Sequence, residues 1–359
     1  IGGYPVSRLT LSWIVIAVLA VSSVCACLIS FLHGKNLELT KTQITLPIRF
    51  RPHNNLLRHE AYKILITNRA LLVLICFVLL IGYYDLSQEY HPSTQEQYYQ
   101  QVMLQLEGDL TDEKEALIQS EQARFDEAFA KIEKIDGLVA SGELDATAGD
   151  AMKMEWESIL TLYPAFQRMM QQYENDTFVY DTGYLYLFGR MDDSYLINLL
   201  LLSLCVALAF HNAISMEYAK KSWYLLGATH CGRKAILKQK IWICMACVAV
   251  MAVLPWIFRS TCISQTFPLH SLTSSIRNIP AFANFVLDIS ILCFILVAIL
   301  SQVLVVMVGS LVILAVSKWR KNDMQALFFG LLILVIPLVM KLMGLDFATY
   351  PLYSWTQTA

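Results

Sequence analysis

The sequence predicts an all-α fold: a polytopic helical membrane protein with six transmembrane helices and a helical-hairpin ectodomain. Three observations carry this. Of 359 residues 56% are hydrophobic and 16% charged, where a soluble domain has about a quarter charged. The mean hydropathy is +0.50. Uncharged runs occupy 9–34, 70–84, 194–216, 241–258, 289–317 and 324–340, and a hydrocarbon core ~30 Å thick takes ~20 apolar residues per helix. The net charge of −2 excludes a strongly basic nucleic-acid binder.

Residues 1–33 hold the first helix, over about 10–33. Its run is too long for a signal-peptide core, and no small-residue cleavage pattern follows it. It reads as the last helix of a preceding half, with a matching inbound helix expected after Ala359. Residues 34–63 form a linker and an amphipathic segment leading into the bilayer. The next helix, 64–85, has few uncharged residues, so the expectation extends it back to Ile64 and lets Arg69 snorkel to the headgroups.

Residues 86–190 carry 20 acidic against 7 basic residues and no cysteine, so disulfides do not hold this domain together. Ser93 and Glu96 have the spacing of a capping box, opening a helix that ends near Gly108. A second helix follows Thr111, with Phe125, Ala128, Phe129, Ile132, Ile135, Leu138 and Val139 at three- and four-residue spacing. After Ser141-Gly142-Glu143, an answering stripe of Met154, Trp156, Ile159, Leu160, Tyr163, Phe166, Met169, Met170 and Tyr173 completes an antiparallel hairpin.

Residues 191–345 form a four-helix transmembrane region, with helices over about 194–215, 241–258, 282–317 and 324–343. The third is too long for one upright span and too short for two. The expectation is a tilted or broken helix, or a re-entrant piece near Gly309, and a bend at Pro337. Residues 346–359 are an external segment. Basic residues outnumber acidic ones in 34–63, 217–240 and 318–323, which places those links in the cytoplasm by the positive-inside rule. Residues 86–190 and 259–280 then lie outside.

Chemistry-bearing motifs are incomplete. Gly227 to Ala235 resembles the phosphate loop G-x-x-x-x-G-K-S/T, but Arg233 and Lys234 follow Gly232 and Ala235 cannot ligate magnesium. His59-Glu60-Ala-Tyr-Lys63 has Lys63 where a zinc site needs its second histidine. Asp181-Thr182-Gly183 occurs once, whereas aspartic proteases pair two carboxylates. Cys244 and Cys247 lie on an apolar run and read as small hydrophobes. No catalytic, cofactor-binding or metal residue is assigned, and the chain is not expected to be an enzyme. Asp288 interrupts the run before 289–317 and is a candidate pathway or helix-pairing carboxylate, because charges within a span seek protein or water.

From Met216 onward, Glu217-Tyr-Ala-Lys-Lys-Ser-Trp-Tyr-Leu-Leu-Gly-Ala-Thr-His-Cys-Gly232-Arg233-Lys234, followed by Lys238 and Lys240, resembles the segment before a membrane helix in permeases of ABC-2 type transporters, in their long, gut-Firmicute-like bacterial version. Leu57 to Ile64 looks like that family's amphipathic lead-in. The resemblance covers about 55–345. It departs from a plain six-helix permease in the extra first helix and the large ectodomain. It implies a subunit of an ATP-driven exporter in a bacterial plasma membrane, partnered by a separate cytoplasmic ABC ATPase and by a second permease half or copy, within a lipid bilayer. The alternatives are a macrolide-exporter or cell-division type permease, which transmits force, and a membrane sensor using the acidic ectodomain. The expected coupling surface is 217–240, with Glu217, Trp223, Tyr224, Leu225, Gly232, Arg233, Lys234 and Lys238 meeting the ATPase through aromatic and basic contacts.

Overall fold

A computed structural model describes residues 56–173, 177–219, 223 and 232–343. Helix dominates. In order come α1 (Leu56–Tyr62) running into a π turn (Lys63–Thr67), α2 (Ala70–Leu86), α3 (Thr94–Leu106), strand β1 (Gly108–Asp109), α4 (Asp112–Ala140), α5 (Ala146–Leu160) and α6 (Tyr163–Met170). Strand β2 (Thr177–Phe178), α7 (Thr182–Leu187), α8 (Ser194–Phe210), α9 (Ser215–Ala219) and α10 (Gly232–Thr266) follow. Then come two short 3-10 turns, α11 (Ile291–Arg320), α12 (Asp323–Leu334) and α13 (Ile336–Leu342). The described residues form two units: those within 56–77, 199–249 and 306–343 make the first, and those within 78–198 and 250–305 the second.

Four helices, Ser194–Ala219, Gly232–Thr266, Ile291–Arg320 and Asp323–Leu342, are long and apolar enough to cross a membrane. These mark a membrane-embedded protein. The pair Leu56–Thr67 and Ala70–Leu86, bent by 62°, makes a fifth if it counts as one span. The expected helix at 10–33 lies outside the described residues, as do 346–359.

Several helix boundaries differ from expectation for identifiable reasons. The helix expected from Ile64 to residue 85 is instead broken: Arg69 adopts φ of 60°, in the left-handed region that ends a right-handed helix. The span expected at 241–258 reaches from Gly232 to Thr266; the second half of the supposed 217–240 loop is therefore helical. α11 begins at Ile291 rather than 282 and runs unbroken through Gly309. A Cβ on Gly309 would lie 2.6 Å from Leu334 Cδ2. Gly309 thus lets α11 and α12 approach closely, as small residues do between membrane helices. Where a bend was expected at Pro337, the helix is interrupted two residues earlier: α12 stops at Leu334 and α13 starts at Ile336 with proline in its first turn.

In the second unit α4 and α5 pack as the hairpin that their stripes predict, turned at Gly142 with φ of 79°. Phe125 packs on Phe166 and Tyr163, with ring centroids 5.0 and 5.4 Å away. The answering stripe is not one helix. Pro164 starts α6 separately, and Met154 is 71% exposed, because only the part beyond Thr161 turns back onto Phe125. The capping box forms: Ser93 Oγ accepts from the Glu96 amide at 3.2 Å.

A buried polar hub ties α3, α6 and the start of α7 together. Arg168 Nη2 donates to Asp181 Oδ1 at 2.8 Å and Nη1 to Glu96 Oε2 at 3.3 Å, while the guanidinium covers the Tyr99 ring at 4.3 Å. Tyr99 donates to Asp181 at 2.9 Å and Tyr180 to Glu96 at 2.7 Å. The single Asp-Thr-Gly triplet is thereby accounted for as structure, its carboxylate engaged by Arg168 and Tyr99.

Burial, reinforced by acidic neighbours, pushes the Tyr99 and Tyr180 hydroxyls above the usual tyrosine range. A folded pKa raised above the unfolded value contributes stability that is complete below the unfolded value, ~10, and is lost as pH rises toward the folded one. Phenolate absorbance at 295 nm, followed on the full chain in detergent, is therefore expected to show these tyrosines silent just above pH 10. They should then ionise together with loss of helical circular dichroism. Ionisation of all tyrosines near 10 with the helices intact would contradict the hub.

Candidate functional site

The first unit holds a closed ring of four charges. Glu60 and Lys63 stand three residues apart at the end of α1 and the start of the π turn, so they share a face. Glu217 lies on α9, and Lys240 on the ninth residue of α10, immediately before the apolar run 241–258. Lys63 Nζ lies 2.5 Å from Glu217 Oε1 and 3.3 Å from Glu60 Oε1. Lys240 Nζ lies 2.9 Å from Glu217 Oε1 and 3.5 Å from Glu60 Oε2. Each cation touches both carboxylates.

The ring is dry on three corners. The side chains of Glu60, Glu217 and Lys240 are 2%, 3% and 2% exposed, and that of Lys63 is 21%. Lys240 also donates to the Ala213 carbonyl at 2.6 Å, and the Ser215 amide donates to Ser317 Oγ at 3.1 Å. The turn 211–219 is therefore fastened to α1, α10 and the end of α11. Balanced charge makes burial tolerable, since each ion's desolvation is offset by two opposite neighbours.

Beside the ring, Tyr218 stacks on Trp223 with centroids 4.8 Å apart. The Lys321 ammonium sits 5.3 Å over Tyr218 and the Arg233 guanidinium 5.6 Å over Trp223. Arg233 Nε also donates to the Trp223 carbonyl at 3.0 Å. Two stacked aromatics thus lie between two cations, an arrangement favoured by the negative ring faces. Arg233, Lys234 and Lys238 are exposed along the first turns of α10.

The expected coupling residues separate accordingly. Arg233, Lys234 and Lys238 share an exposed basic face, and Gly232 opens α10 with φ of 63°. Glu217, expected on the surface, is instead buried at the centre of the ring, because two lysines converge on it. Tyr224 and Leu225 lie outside the described residues. Asp288 sits exposed three residues ahead of the first residue of α11 and accepts from Ser275 Oγ at 2.5 Å. Sequence reasoning missed Glu60, Lys63 and Lys240 as partners. The available signal was Lys240 at the threshold of an apolar run and the Glu60/Lys63 pair in the failed zinc pattern.

A second buried cluster belongs to the other unit. Arg259 Nη2 donates to Asp192 Oδ1 at 2.7 Å, and the same guanidinium donates to Ser194 Oγ and the Tyr186 carbonyl. Asn198 donates to Asp85 Oδ1 at 2.9 Å. Among the described residues no group of three or more His, Cys, Asp or Glu side chains is placed to hold a metal.

No family model matches the chain, and no curated protein or solved structure does. The reading of the site therefore rests on its own geometry.

Removing one member of a buried ion pair costs ~3 kcal/mol or more, because the other charge is left uncompensated. Lys240→Met is expected to lower the thermal midpoint of the detergent-solubilised chain clearly, whereas Lys240→Met with Glu217→Gln should recover part of the loss. Additive losses in that double-mutant cycle would show that the two side chains do not interact.

Proposed function

We propose that this chain is the membrane-spanning permease subunit of an ATP-driven ABC-type exporter of the ABC-2 kind. A separate cytoplasmic ATPase hydrolyses ATP and delivers work at 215–240. The supporting observation is the charge ring itself: it joins a lead-in segment, a short turn and the root of a long membrane helix beside an exposed basic face. Such a joint passes displacement at that face to several helices together. Arg233, Lys234 and Lys238 supply cations for acidic groups on the ATPase, with Trp223 as the aromatic contact beside them. Glu217 acts from within, holding the turn rather than touching the partner.

On this reading the basic links face the cytoplasm of a bacterium, residues 86–190 are extracellular, and a second permease half or copy completes the conduit. The helical make-up of α3 to α6 favours it over the macrolide-exporter type, whose ectodomain mixes helix and sheet. The test is co-purification from native membranes. Arg233→Glu with Lys234→Glu and Lys238→Glu is expected to leave insertion unchanged and to remove a soluble ATPase from the purified complex. An inserted triple variant that retains the ATPase, or a wild-type chain that purifies with none, contradicts the proposal.

A further inference from the structure

The link between α10 and α11 ends in a built apolar tip. Val286 is 85% exposed and Leu287 58%, yet the turn beneath them is heavily fastened. Arg277 Nε donates to the Phe285 carbonyl at 2.9 Å and Nη2 to the Val286 carbonyl at 2.7 Å. Ser275 Oγ donates to Asp288, and the Ile276 amide donates to the Ile289 carbonyl at 2.9 Å. Phe282 and Phe285 both pack on Phe294 near the top of α11, each with centroids 5.2 Å away. The Arg190 guanidinium closes the base over Phe282 at 4.3 Å. A loop free to bury its aliphatic groups would do so; this one is pinned with them outward.

What meets the tip follows from α11. Leu292, Leu296, Leu300, Leu304, Val308 and Leu311 are exposed along one face, and the 19 steps from Leu292 to Leu311 at ~1.5 Å each span about 28 Å, close to the ~30 Å hydrocarbon thickness. Lys318 and Arg320, in the last turn of α11 with exposed Trp319 between them, come about 10 Å beyond Leu311 and lie in the headgroup region past one boundary of that layer. Leu292 marks the other, and Val286 and Leu287 come only five or six residues before it. The exposed side of the tip thus continues the lipid-facing ridge of α11 at its far end.

We infer that residues 283–288 are a membrane-interface anchor: Val286 and Leu287 seat at the boundary of headgroup and acyl chain in the leaflet opposite Lys318. Arg277 and Arg190 stand at the depth of the lipid phosphates. Asp288, the acidic group beside the tip, is held by Ser275 and stays on the water side. The partner is phospholipid, recognised by apolar contact and phosphate charge. The anchor fixes the depth of the first turn of α11, and it does not depend on which ATPase, if any, drives the protein.

The test uses full-length protein in phosphatidylcholine vesicles. With all nine cysteines replaced by serine, a nitroxide on Val286→Cys is expected to collide with oxygen several-fold more effectively than with a water-soluble nickel chelate. The same label on Ser141→Cys, at the hairpin turn, should show the reverse. Leu287→Trp, in a chain otherwise wild type, provides a second measurement: lipids brominated near the headgroup should quench the added emission. A label at 286 that meets the chelate as readily as one at 141, or unquenched emission at 287, overturns the inference.

Discussion

The ring of Glu60, Lys63, Glu217 and Lys240 is the contact on which the first unit depends. Three ions are withdrawn from water and a fourth, Lys63, largely so, and the withdrawal is tolerable only because the charges alternate and sum to zero. Aliphatic side chains of similar volume would fill the space at no electrostatic cost. The ion pairs add something that aliphatic packing lacks, a fixed register between segments far apart in sequence, since each nitrogen must meet two particular oxygens. That register sets where α1 meets α9 and where α10 begins.

The bilayer imposes the second constraint. Within hydrocarbon every backbone amide needs an internal partner, so the apolar runs form helices and irregular backbone collects near their ends. The break at Arg69 and the pinned turn over 274–290 both fall at the ends of apolar helices. Close approach of α11 to α12 then rests on Gly309 and on Gly330, whose Cβ would lie 3.3 Å from Ile313 Cγ1. The acidic helical domain is organised by a different means, an aromatic core around Phe125 and the Arg168 hub.

Much of this was legible in the sequence, and the remainder was not for physical reasons. Uncharged runs located the helices of 194–342, and the stripe through Phe125 and Ile135 located the hairpin. Boundaries were less legible. Hydropathy stops at the first charge, so Lys240 and Arg259 truncated α10 in the reading although both are neutralised by distant partners. The run from 282 was read as helix because apolar content alone does not distinguish a span from a pinned turn presenting Val286 and Leu287. Glu217 was read as a surface contact because its two lysine partners lie 154 residues before it and 23 after it, and no local pattern records such a meeting. The basic face of Arg233, Lys234 and Lys238 was readable, since exposure of charged side chains is the default.

The central claim is that the ring makes the lead-in segment, the turn and the root of α10 one mechanical piece. Hydrogen–deuterium exchange on wild type and on Glu217→Gln, which keeps the shape and removes the charge both lysines share, tests it most directly. The account predicts that amides of 56–67, 211–219 and 236–244 lose protection together in the variant while those of 112–160 are unchanged. Loss confined to 211–219, with 56–67 and 236–244 as protected as in wild type, would contradict it.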